Sequence, residues 1–163
     1  MKQLAGIIVV LVLAAKLYAG IAITPEMLAT QFIAAVNERS TEKQKAIVHL
    51  RCFANLSAVQ KQFLDETLAR DFRKTVTEKR TIKVKQLEGP GLPFGDMMEW
   101  PVKPTHQLEI EFSTGENSST SIIRFIAKEK DQWFIIIPML NAENLKRYEE
   151  KNKSQPVAPP DKK

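Results

Sequence analysis

The chain has 163 residues, 44% of them hydrophobic and 26% charged, a composition that suits one folded domain with its own core and excludes a wholly disordered polymer. Its formal charge is +5, from 24 basic and 19 acidic residues. Part of that excess falls at the N-terminus, on Lys2 and Lys16, and part in the tail, on Lys151, Lys153, Lys162 and Lys163. No run of basic residues is interleaved with aromatics, so nucleic acid is not an expected partner.

Lys2 followed by the apolar stretch Leu4 to Ala15 has the make-up of an export signal. The stretch is shorter than the roughly 20 residues that span a bilayer. Ala19, Gly20 and Ala22 offer small residues for cleavage after Ala19 or after Ala22. Leu17 to Ile23 can prolong the apolar run past Lys16, so an uncleaved anchor is the alternative, and it is the only membrane contact expected. No cysteine lies near the cleavage point for lipid attachment. The expected product is therefore exported, periplasmic or secreted, with residues 1–19 as signal, 24–140 as a single α+β domain and 141–163 as a polar, largely disordered tail.

Thr24-Pro25-Glu26 marks a helix start: a capping hydroxyl, a proline suited to the first helical position and an acid that complements the helix dipole. Leu28, Phe32, Ala35 and Val36 then share one face. A second helix is expected from Ser40 or Thr41, with Thr41 and Gln44 in capping-box spacing and Ala46, Ile47, Leu50 and Phe53 as its apolar face. A third begins at Ser57, paired with Gln60, and carries Val59, Phe63, Leu64, Leu68 and Phe72.

The period then shortens. Ile82 and Val84 alternate with Lys83 and Lys85 in a half-exposed strand. Residues 89–104, rich in glycine and proline, form a long irregular connection. Leu108, Ile110 and Phe112 alternate with Gln107, Glu109 and Glu111, and after a turn at 115–118 a strand follows over 120–128. A two- or four-residue loop there would set Glu109 opposite Arg124, Leu108 opposite Phe125 and Ile110 opposite Ile123. The last strand, 132–138, contains Trp133-Phe134-Ile135-Ile136-Ile137 and is apolar on both faces, as is its neighbour. A sheet packed on helices needs one apolar face, so the second must meet the 89–104 loop, the residues after Pro138 or a second subunit. A homodimer through that outer face, with Ile122, Ile126, Trp133 and Ile135 as its surface, is one expectation. Residues 142–151 can form a charged helical stretch.

Three N-terminal helices packed on a curved antiparallel sheet of about four strands resemble the cone-shaped fold of the nuclear transport factor 2-like superfamily, which includes SnoaL-like proteins. The segments carrying the resemblance are Phe32-Ile33-Ala34-Ala35-Val36-Asn37-Glu38-Arg39 and Lys130-Asp131-Gln132-Trp133, within Thr24 to Pro138. One departure is that the third helix precedes the first clear strand. The resemblance implies an α+β cone whose mouth can hold a small apolar ligand, and a sheet face through which dimers often form. It carries over no catalytic residue, and fold analogy does not establish activity.

The residues themselves offer few chemical candidates. His106 shares strand parity with Leu108, Ile110 and Phe112, and as a general base it would need a carboxylate such as Asp65 or Asp71. Cys52, the only cysteine, lies three residues after His49, a spacing within reach of a nucleophile and its base but better explained by a buried structural thiol. Trp100, with Phe94, Met97 and Met98, forms an apolar cluster on the long loop that either closes the core or lines a ligand mouth. No phosphate loop, hydrolase triad or metal-ligand spacing is present, so no cofactor or metal is expected. The reading is an exported binding or interaction protein holding a small apolar ligand. The alternatives are a lyase or isomerase using His106, or a structural homodimer.

Overall fold

A computed structural model describes residues 22–89, 92–114 and 118–154 as an α+β arrangement of helices and an antiparallel sheet. The expected signal, 1–19, and the end of the tail, 155–163, lie outside the described residues.

Helix α1 spans Pro25–Asn37, with the Thr24 hydroxyl accepting from Met27 N at 3.2 Å. It buries Leu28, Phe32, Ile33 and Val36. The Asn37 side chain then clamps a distant turn, accepting from Val76 N at 2.8 Å and donating to Val76 O at 2.9 Å.

Helix α2 is shorter than its apolar spacing predicts, Thr41–Ala46. Its cap is Ser40, not Thr41, and Gln44 points inward instead of closing a capping box. The helix stops because the next residues pair with a strand edge: Ile135 N donates to Ile47 O at 2.9 Å and His49 N to Ile135 O at 3.0 Å, on either side of a parallel bridge between Val48 and Ile135. These main-chain bonds replace the helical ones, and the chain continues as a 3-10 turn, Leu50–Phe53, in which Leu50 is exposed. Helix α3, Ala58–Asp71, has both arms of the expected Ser57–Gln60 capping box.

The strands are β1 (Arg80–Gln86), β2 (Met98–Glu99), β3 (His106–Ser113), β4 (Ser119–Glu129), β5 (Gln132–Ile136) and β6 (Met139–Leu140). The main sheet has the order β1-β3-β4-β5, all antiparallel, while β2 and β6 form a separate ribbon. Leu108, Ile110, Ile122, Ile126 and Ile135 share the face that packs on α1.

The β3–β4 register is one residue away from the expected one. Ser113 pairs with Ser119, leaving the odd-length connection 114–118, so Leu108 faces Arg124 and Ile110 faces Ile122. A one-residue slip exchanges the two faces of a strand. Ile122, Ile126 and Ile135, expected on the outer face, are thus core residues with at most 2% exposure. The outer face instead carries Ile123, Phe125, Phe134 and Ile136. Much of it is covered by the chain itself: Phe94 and Trp100 set their rings edge-on to Phe125, and His49 does the same to Phe134.

Helix α4 spans Ala142–Ser154, so the ordered domain runs well past residue 140. The Asn141 side chain caps it, accepting from Asn144 N at 2.8 Å, and Tyr148 meets Phe63 of α3 edge-to-face. Asn141 also donates to Asp96 O, tying the long loop to the start of the helix.

Candidate functional site

Strand β5 pairs with β4 only from Phe125 onward, so residues 119–124 of β4 have β3 on one side and a free edge on the other. The C-terminal end of helix α3 meets that edge, where Asp71 pairs with Arg124. The Lys74 Nζ, in the turn after the helix, donates to Ser121 O at 3.0 Å and so satisfies one of the edge carbonyls. Between α3, the β4 edge, Phe94 of the loop and Leu140 of β6 is a cleft of about 500 Å³. That volume falls in the range of pockets that take small molecules. Its walls are largely apolar, built from Phe32, Phe63, Leu68, Phe125, Ile136 and Leu140.

The polar residues of the cleft come from three elements. The Asp71 carboxylate, at the end of α3, accepts from the Arg124 guanidinium through Oδ1 and from Gln44 Nε2 through Oδ2, the latter at 3.3 Å. Arg124 also lies over the Phe32 ring, 5.1 Å from its centre, and donates to Ile123 O. Gln44 and Asp71 are 1% and 7% exposed and the Arg124 side chain 23%, so this is a largely shielded ion pair held by additional hydrogen bonds. Two further polar atoms on lining residues, Gln44 Oε1 and Thr67 Oγ1, are shielded from solvent and without a hydrogen-bond partner in the structure. Arg70 and Lys74 complete the charged lining.

Phe94 is held at the cleft with a backbone φ of 67°, the left-handed region that a bulky side chain rarely enters. Trp100 stacks on it at 6.3 Å and donates Nε1–H to Pro93 O at 3.1 Å, fixing the loop beneath. Backbone strain of this kind, costing about 1–3 kcal/mol, collects at ligand clamps and similar sites.

Of the residues expected to form a ligand surface, Phe94, Met98 and Ile135 line the cleft, Trp100 supports it from behind, and Met97 points to solvent at 60% exposure. Ile122 and Ile126 are core, and Trp133 sits edge-on to His106, 4.9 Å between ring centres. His106 is not a lining residue, and its Nδ1 pairs with Thr105 Oγ1 at 2.9 Å. Asp65 is bound to Lys45 at 2.8 Å and Asp71 to Arg124, so each proposed carboxylate partner of His106 has a different ion pair. Arg124, expected beside Glu109, turns to the opposite face in the observed register.

His49 is likewise committed. Its Nδ1 accepts from Arg51 N at 3.2 Å, which leaves Nε2–H to donate to Glu129 at 2.6 Å. Burial pushes the Cys52 thiol up from its ordinary value, against a smaller opposing effect of a backbone hydrogen bond at Ile137. A raised thiol pKa and a histidine occupied at both nitrogens describe a structural cysteine. Among the described residues no three potential metal ligands come together, and no helix is long and apolar enough to cross a membrane.

The cleft residues missed from the sequence had a signal. Thr67, Arg70, Asp71 and Lys74 recur at helical spacing beside the apolar stripe of Leu64 and Leu68. What arrives from elsewhere, Gln44 and Arg124, has no local signature. Comparison with known proteins adds no identification: no family model matches the chain, and neither a curated protein nor a solved structure matches it.

Proposed function

We propose that this chain is an exported, non-enzymatic binding protein that holds a small, largely apolar ligand in the cleft between α3 and the free edge of β4. The observation that carries this reading is the combination of about 500 Å³ of apolar-walled space with a buried Gln44–Asp71–Arg124 cluster on its wall. A pocket of this size with a few convergent polar groups is the usual form of a small-molecule site. Binding is favoured over the lyase or isomerase alternative by placement, because His106, on which that alternative depends, stands outside the cleft. Helices and sheet walling one pocket also fit the cone-fold resemblance.

Export is supported by Lys2 and the apolar stretch that follows it. Ala22 refines the cleavage point. It is 3% exposed and its carbonyl accepts from Trp133 N at 2.7 Å, so it belongs to the folded domain and cleavage after Ala19 is the better fit.

One preparation tests both halves. The chain expressed with its own N-terminus and recovered from the exported fraction should have a mass that begins at Gly20. Titrated with the neutral fluorescent probe N-phenyl-1-naphthylamine, it should saturate at one site, and Leu140→Trp or Ile123→Trp, which place an indole in the cleft, should weaken binding by about tenfold. A retained leader would remove the export reading. Undiminished probe binding in both folded variants would remove the cleft.

A further inference from the structure

Resting on the binding reading above, the charge lining of the cleft narrows the class of ligand. The lining contains three cations, Arg70, Lys74 and Arg124, and one carboxylate, Asp71. Both oxygens of that carboxylate are engaged, one by Arg124 and one by Gln44, so the deep pair is internally neutral. The uncompensated charge therefore belongs to Arg70 and Lys74. These two sit four residues apart at the end of α3 and in the turn beyond it, along one side of the cleft. Lys74 spends one ammonium hydrogen on Ser121 O, and an ammonium carries three, so donors remain for a ligand.

The C-terminal end of a helix also presents carbonyl oxygens, which favour cations there. Cations on one wall, with Phe63, Leu68, Phe125, Ile136 and Leu140 around the rest, divide the cleft into an anion-attracting end and an apolar body.

We propose that the occupant is a single-chain amphiphile with an anionic head: an aliphatic chain against the apolar walls, and a carboxylate or similar anion at Arg70 and Lys74. Charge complementarity chooses the head, because a cationic head would meet like charge at that wall and a neutral one would leave the two cations unused. The Asp71–Arg124 pair does not take part in head recognition, since its members already neutralise each other. Its place is to hold the floor of the cleft in shape.

Octanoate, octan-1-ol and octyltrimethylammonium share one chain length and differ in charge, and calorimetric titration of the mature protein with each reads the preference directly. At low salt octanoate should bind about tenfold tighter than the alcohol, with the cation weakest, and the gap should shrink as salt is raised. Arg70→Gln with Lys74→Gln keeps hydrogen-bonding capacity while removing both charges, and should bring octanoate to within about twofold of the alcohol. A thermal unfolding curve on the double variant confirms that it is folded, which two partly exposed side chains should allow. Equal affinity for octanoate and octan-1-ol, or a preference that survives the double substitution, overturns the anionic head and leaves the cleft as a neutral pocket. Failure of all three to bind, together with failure of N-phenyl-1-naphthylamine, overturns the head and the binding reading alike.

Discussion

Two polar clusters adjoin the apolar interior, and they differ in what surrounds them. Asp71, Arg124 and Gln44 stand beside open space, with unpartnered polar atoms on neighbouring lining residues. His49, at the free edge of β5, and Glu129, at the end of β4, line no such space: the His49 ring uses both nitrogens and meets Phe134 edge-on. In the sequence it is His49 that draws notice as chemistry, because Cys52 lies three residues on. Folded, it is a brace joining the 3-10 turn to the strand edge. Polar groups inside a protein mark a site only where there is also room for a ligand to meet them.

The largest effect is expected at the cleft. Arg124→Ala leaves the Asp71 carboxylate buried without its cation, and removing one partner of a buried pair typically costs about 3–5 kcal/mol. We place this case near 3 kcal/mol because the Arg124 side chain keeps 23% of its exposure. The double variant Asp71→Leu with Arg124→Met should regain most of that loss, and equilibrium denaturation measures both. A loss under about 0.5 kcal/mol for the single variant would mean the pair is effectively at the surface.

The brace should respond less. His49→Ala removes a cap, a ring contact and a hydrogen bond to Glu129, with an expected loss of about 2 kcal/mol and no change in probe binding. If that variant loses the probe as well, the two clusters are one cooperative unit and the contrast between them fails.

The smallest effect is on pH dependence. The hydrogen bond from His49 holds the Glu129 carboxyl below its ordinary value, opposed by desolvation and assisted by smaller effects of nearby charges, Arg51 and Lys130 among them. A carboxylate whose pKa is lower folded than unfolded adds stability above the unfolded value, and that stability is lost as pH falls through the folded one. The thermal midpoint should therefore decline a little more steeply below the ordinary glutamate range in the parent than in Glu129→Gln. Superimposable profiles would show that the bond does not persist in solution.

The parts of this fold legible in the sequence are those decided within a few residues. Thr24 and Ser57 cap the helices their spacing predicts, because a hydroxyl two or three residues from a free amide needs no tertiary partner. Alternation of Leu108, Ile110 and Phe112 identifies β3 and its buried face. The cleft is partly legible for the same reason, since its lining residues Phe94 and Met98 form a local apolar cluster with Trp100.

What the tertiary structure decided lies beyond that reach. The β3–β4 register turned on whether the connection has an odd or even number of residues, and local pattern could not decide it because both faces of β4 are apolar. That parity sends Arg124 to Asp71 and Phe32 instead of Glu109. Helix α2 ends at Ala46 because Ile135, far along the chain, takes the main-chain bonds of Ile47 and His49. The cleft itself exists because β5 stops short of the start of β4. Caps and alternation belong to single segments, whereas a cleft belongs to the space between them, and only folding fixes which side chains share it.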